Sequence, residues 1–156
     1  MLYHAKRLCV TGAIEYRYYQ EEKLIGSAVT LAVPGYPVFI RCSNLQLHCQ
    51  RDPDATIVPG SYVSLHCENS SQEYARLVWQ GSGRHRLRIG SETIVIIQRD
   101  GICHFFRNRT LLAVLHPISG PSADEWELRM EFTALLPLPD PLLTLLMSFP
   151  LLQMGW

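Results

Sequence analysis

D-P-L-L-T-L-L-M-S-F-P-L-L-Q-M-G-W, residues 140–156, is almost wholly apolar, in a chain that otherwise alternates polar and apolar residues. Asp140 reads as an N-cap, and Pro141 suits the first helical position because the N–H it lacks would go unpaired there. Leu142, Leu143, Leu145, Leu146, Met147 and Phe149 then form a helix that is apolar on every side. Such a helix is enclosed by protein or by lipid. A spanning helix needs about 20 apolar residues. This stretch is shorter, carries Pro150 inside it and has no flanking Lys or Arg. An in-plane membrane helix would need a polar face, which is missing. The segment is therefore expected to be a buried helix over about 140–154, with Pro150 expected to kink it or end it early.

What encloses it follows from the rest of the chain. Short runs rich in Val, Ile, Tyr, Phe and Thr recur between turn residues. They cover residues 13–19, 24–33, 37–42, 45–50, 62–67, 74–79, 84–89, 93–98, 102–106, 111–116 and 126–133. Q-E-E-K, S-N, G-S-E, R-D-G and R-N-R join them as hairpin connections. P-G-Y-P (34–37), R-D-P-D (51–54) and H-P-I-S-G-P-S-A-D (116–124) read as loops. Counted generously this makes about a dozen antiparallel strands, with no strand–helix alternation that would signal a parallel sheet. A sheet of that size curls, and closing it removes both edges but leaves an interior to fill. The expected fold is a mostly β, closed antiparallel barrel of about twelve strands around the C-terminal apolar helix. It forms one domain over 1–156, with strands over about 3–133.

The phrases Y-R-Y-Y-Q-E-E-K-L-I-G-S-A and Q-R-D-G-I-C-H-F-F-R-N-R-T-L-L-A-V-L place a polar turn before a strand. With the terminal D-P-L-L-T-L-L-M-S-F-P-L-L-Q-M, they resemble the tubby C-terminal-like domain superfamily. That group includes tubby proteins, phospholipid scramblases, LURP-one-related proteins and small bacterial relatives. The resemblance covers nearly the whole chain and implies a closed twelve-stranded barrel threaded by its C-terminal helix. Its best-understood members bind phosphoinositides or act at membranes, so it implies an anionic phospholipid or a protein as partner.

Composition bounds the alternatives. Apolar residues make up 47% and charged residues 18% of the chain, a folded composition. Fourteen Lys and Arg balance fourteen Asp and Glu, which argues against a nucleic-acid binder, whose affinity needs a cationic excess. M-L-Y-H-A-K-R-L-C-V-T-G has no apolar run after its charges and does not read as a secretory signal. Five scattered cysteines read as reduced thiols, so the expected location is cytoplasmic.

The clearest polar cluster is G-S-G-R-H-R-L-R, residues 81–88. On a strand, Arg84, Arg86 and Arg88 share one face and His85 and Leu87 the other. Three guanidiniums beside a glycine-containing loop make a candidate phosphate contact, which Lys6, Arg7 and Lys23 would extend if the fold brings them near. The competing reading is a solvated strand face.

Other chemistry is not expected. Cys42, His48, Cys49, His66 and Cys67 are zinc-type donors, but adjacent strand residues diverge and no C-x-x-C exists. One of each pair can converge, for example Cys49 with Cys67, and buried thiols are the simpler account. Ser82 lacks the strand–turn–helix setting of a nucleophile, Cys103 and His104 point apart, and Asp124, Glu125 and Glu127 have no cleft partner. No catalytic residue, metal set or cofactor is assigned. Tyr16, Tyr18, Tyr19, Tyr36, Tyr62, Tyr74, Trp79 and Trp126 would line a groove only if they gathered on one face. The alternatives are a lipocalin-type small-molecule barrel with the helix packed outside, or an oligomer joined through the apolar terminus.

Overall fold

A computed structural model describes residues 1–31, 33, 37–52, 54–118, 125–131 and 138–153. Its strands are β1 (Leu2–Val10), β2 (Ala13–Gln20), β3 (Lys23–Leu31), β4 (Val38–Cys42), β5 (Leu45–Cys49) and β6 (Tyr62–Cys67). They continue as β7 (Glu73–Gly81), β8 (Arg84–Ile89), β9 (Glu92–Arg99), β10 (Ile102–Arg107), β11 (Thr110–Pro117) and β12 (Trp126–Met130), followed by α1 (Asp140–Leu152). Each strand pairs antiparallel with its neighbours in sequence, and β12 returns to β1, closing a twelve-stranded barrel. The expected architecture is the observed one. The chain's first strand, for which the sequence pattern set no bounds, is β1.

Hairpin turns set the register. Ser82–Gly83, Asp100–Gly101 and Asn108–Arg109 all have positive φ at both positions, which matches the twist of the flanking strands. The strands then alternate burial with period two. Ile40, Leu47, Leu65, Leu77, Ile94 and Phe105 point inward and are almost fully buried.

The interior is filled by α1. Leu142 to Phe149 are all buried, including the polar Thr144 and Ser148 at 0% exposure. Contacts reach the helix from around the barrel. Thr144 packs on Gly26 of β3, Tyr18 of β2 meets Ser148, Trp126 of β12 meets the Met147 carbonyl, and Phe149 lies edge-on to His85 of β8 and Phe105 of β10. The room that a lipocalin-type barrel would leave for a ligand is occupied.

Two polar links hold the helix in register, and a bond within the helix orients one of them. Ser148 donates to the Thr144 carbonyl at 2.7 Å, which leaves its oxygen to accept from the Tyr18 hydroxyl at 2.9 Å. Burial raises the Tyr18 pKa, so this phenol stays protonated. The Trp126 indole N–H donates to the Met147 carbonyl at 2.9 Å. These bonds satisfy groups whose burial would otherwise be costly.

The helix ends differ from expectation. Pro139, extended at φ −60° and ψ 147°, is the N-cap, and Asp140 is already helical and makes no side-chain cap bond. Its carboxylate in the first turn still favours the positive end of the helix dipole. Pro150 sits inside the last turn without ending the helix, which runs to Leu152 with Gln153 as C-cap. Residues 154–156 and the expected strand residues 132–133 lie outside the described residues. Among the described residues no helix is long and apolar enough to cross a membrane.

Candidate functional site: a basic strand face and a cleft beside it

Strand β8 keeps strict alternation. Arg84, Arg86 and Arg88 are exposed, while His85 and Leu87 point into the core. The register adds neighbours that sequence spacing did not show. Arg88 lies directly opposite Arg76 of β7, and Arg86 sits between Val78 and Val95. Arg76 is engaged with Glu73, its Nη2 2.9 Å from Oε2, and it stacks 4.1 Å from the centre of the exposed Tyr62 ring. Arg107 pairs with Glu92, whose strand position lies opposite Ile89 and so belongs to the other face of the sheet. Among the described residues no carboxylate pairs with Arg84, Arg86 or Arg88; Arg84 donates only to the Gln80 side chain at 3.1 Å. A shallow recess of about 260 Å³ lies between Arg76, Arg88, Gly90 and Glu73. Like charges opposite each other repel, so this face carries positive charge that an incoming anion would relieve.

Two parts of the expected phosphate site do not assemble. Lys6 and Arg7 lie on β1, five strands from β8 around the barrel, and Lys23 begins β3. Lys6 instead sits 5.3 Å over the Tyr19 ring. The loop of Gly81 to Gly83 is a tight hairpin turn; the Gly83 carbonyl accepts from Gln98 N–H at 2.8 Å, and a Cβ on Gly83 would overlap the Gln98 carbonyl. Gly83 serves that close approach. The arginine side chains alone remain as anion contacts.

The cleft escaped sequence reading. Among the described residues β5 and β6 pair only at Leu47 with Cys67 and His48 with His66. The connecting segment, described at residues 50–52 and 54–61, then crosses beside the end of α1. Where the strands part, a cleft of about 510 Å³ opens, with Cys49 and Val63 at its inner side and His48, His66 and Tyr62 at its outer side. Arg51 forms part of its wall and closes the end of α1: Nη1 donates to the Gln153 carbonyl at 3.2 Å and Nη2 to the Leu151 carbonyl. A cation at the negative end of a helix dipole is favourable there, and burial lowers its pKa. The only sequence signal was the loop R-D-P-D.

The remaining candidates disperse. Cys42, Cys49 and Cys103 are buried free thiols and Cys67 is half-buried. Burial pushes Cys49 up to about 11 and Cys103 up to about 12, which suppresses the nucleophilic thiolate. Among the described residues no three His, Cys, Asp or Glu gather as a metal set. Glu127 lies between His4 at 2.8 Å and His116 at 3.7 Å, bridging β1, β12 and β11 where the barrel closes. Asp124 and Tyr36 lie outside the described residues. Of the other aromatics, only Tyr16 and Trp126 come together, their ring centres 4.7 Å apart at a pocket of about 370 Å³ beside Pro150. Tyr18 is buried, Tyr74 and Trp79 pack half-buried against the core and Tyr62 is exposed, so the set lines no common groove. Comparison with known proteins finds no matching family model, no matching curated protein and no matching solved structure.

Proposed function

We propose that the protein is a non-enzymatic, tubby-like binding domain over residues 1–156, working in a reducing cytoplasm. Its ligand is a phosphorylated anionic lipid head group, met by Arg84, Arg86 and Arg88. The observation that carries this reading is the row of three exposed arginines without a carboxylate partner among the described residues. Alternate residues on a strand stand about 6.6–6.8 Å apart, so three guanidiniums can engage separate phosphates at once. Val78 and Val95, half-buried beside Arg86, let its aliphatic stem lie on apolar surface while the charge projects. Raised thiol pKa values at Cys49 and Cys103 fit a role without covalent chemistry.

Each basic residue near an anionic membrane contributes about 1 kcal/mol, so Arg84 and Arg86 together contribute about 2 kcal/mol, roughly thirtyfold in affinity. The test is co-sedimentation with phosphatidylcholine vesicles containing a phosphoinositide, using the full chain and Arg84→Glu/Arg86→Glu. Binding that falls by about that factor, and that weakens with salt, is expected. Unchanged binding by the double variant contradicts the proposal. Retention of acidic peptides without vesicle binding would transfer the face to a protein partner.

A further inference from the structure

We infer that His48 and His66 form a binding site for a divalent transition-metal cation at the outer mouth of the β5–β6 cleft. Three observations carry the inference. The two residues are directly opposite across an antiparallel pair, the last matched pair before the strands part. Their rings stand 6.1 Å apart, centre to centre, inclined by 41°. Neither imidazole makes a hydrogen bond to another described side chain, and His66 Nδ1 is buried without a hydrogen-bond partner; Glu73, opposite His66 on β7, is held by Ser64 and Arg76.

The chemistry selects the ligand. Neutral imidazole nitrogens bind Zn²⁺, Cu²⁺ and Ni²⁺ well and Mg²⁺ or Ca²⁺ poorly. Two metal–nitrogen bonds of about 2.0–2.1 Å bring the nitrogens within about 3–4 Å of each other. Rings already facing across one strand spacing reach that by turning about χ2. His48 is also stacked on Phe39, 6.5 Å between ring centres, and this limits the rotamer freedom lost on binding. The remaining coordination positions face the cleft and are left to water or to a small ligand held there. With two protein ligands and no hydrogen-bonded outer partner on His66, the site is weaker than a structural zinc site.

The arrangement was hidden in the sequence because H-C at 48–49 and H-C at 66–67 offer adjacent donors that diverge. Register brings the two histidines together on the outer face and sends Cys49 inward.

The test titrates Zn²⁺ alone into the reduced full chain by calorimetry, beside His48→Gln, His66→Gln and Cys67→Ser. Saturable one-to-one binding is expected. Either histidine substitution should weaken it at least about tenfold, the lower bound for losing even an outer-shell partner. Cys67→Ser should leave it unchanged. A second measurement needs no variant: substoichiometric Cu²⁺ should broaden the imidazole resonances of His48 and His66 before those of the other histidines. Absence of saturable binding at millimolar Zn²⁺, binding that survives both histidine substitutions, or first broadening at His4 and His116 would overturn the inference.

Discussion

Gly26 on β3 and Thr144 on α1 occupy one another's space: a Cβ on Gly26 would overlap the Thr144 Oγ1, stand 2.8 Å from its Cγ2 and 3.0 Å from the Arg41 carbonyl. The glycine is there because the helix lies against the strand at backbone distance. Gly26→Ala is expected to destabilise the fold by about 1–3 kcal/mol, the usual cost of overpacking a core. Thr144→Ala on the same background should recover part of that loss, since it removes both overlapping atoms. Thermal unfolding of the two single variants and the double variant measures the coupling. Strict additivity would mean the two residues do not touch.

Arg51 ties the crossing segment to the end of the helix through the Leu151 and Gln153 carbonyls. Arg51→Ala should cost about 1.5–3 kcal/mol, the range for hydrogen bonds to a charged group. Arg51→Lys should recover only part of it, because one ammonium does not present the planar fork that reaches both carbonyls. Denaturant midpoints of the three proteins decide this. Equal midpoints for the parent and Arg51→Ala would dismiss the capping role.

The buried thiols predict an alkaline sensitivity. A cysteine ionises near 9.0 in the unfolded chain, whereas burial pushes folded Cys49 up to about 11 and Cys103 up to about 12. Between pH 9 and 11 the unfolded state therefore sheds protons that the folded state keeps. Stability falls as pH rises through that window. Denaturant melts at pH 8 and pH 10 should show the decline, and Cys49→Ala/Cys103→Ala should flatten its slope. Native labelling with a thiol reagent should reach Cys67 before Cys42, Cys49 or Cys103, in line with their burial.

Much of this fold was legible because its signals are local. Alternation along R-H-R-L-R placed Arg84, Arg86 and Arg88 outside and His85 and Leu87 inside without any tertiary knowledge. The helix was legible from its uniform apolarity, and its burial from its length. What was hidden is non-local. Which strand faces which residue is set by pairing register, so the apposition of Arg76 with Arg88 and of His48 with His66 could not be read along the chain. L-Y-H-A-K-R-L-C-V carries charges that obscure the period of β1. The cap was misplaced at Asp140 because Pro139 already provides the extended residue that precedes the first turn. The cleft depends on where β5 and β6 stop pairing, which composition does not mark.

Leu142, Leu143, Leu145, Leu146, Met147, Phe149 and Leu152 are buried in the barrel. At about 1.5–3 kcal/mol each they contribute roughly 10–20 kcal/mol of gross burial, as much as the whole net stability of a typical domain, about 5–15 kcal/mol. The barrel should not stand without them. The decisive measurement is thermal unfolding by far-UV circular dichroism of the chain truncated after Pro139, beside the full chain. Loss of the cooperative transition is the expected result, and a truncated protein that melts cooperatively at the parental temperature would contradict the placement of α1 as the core.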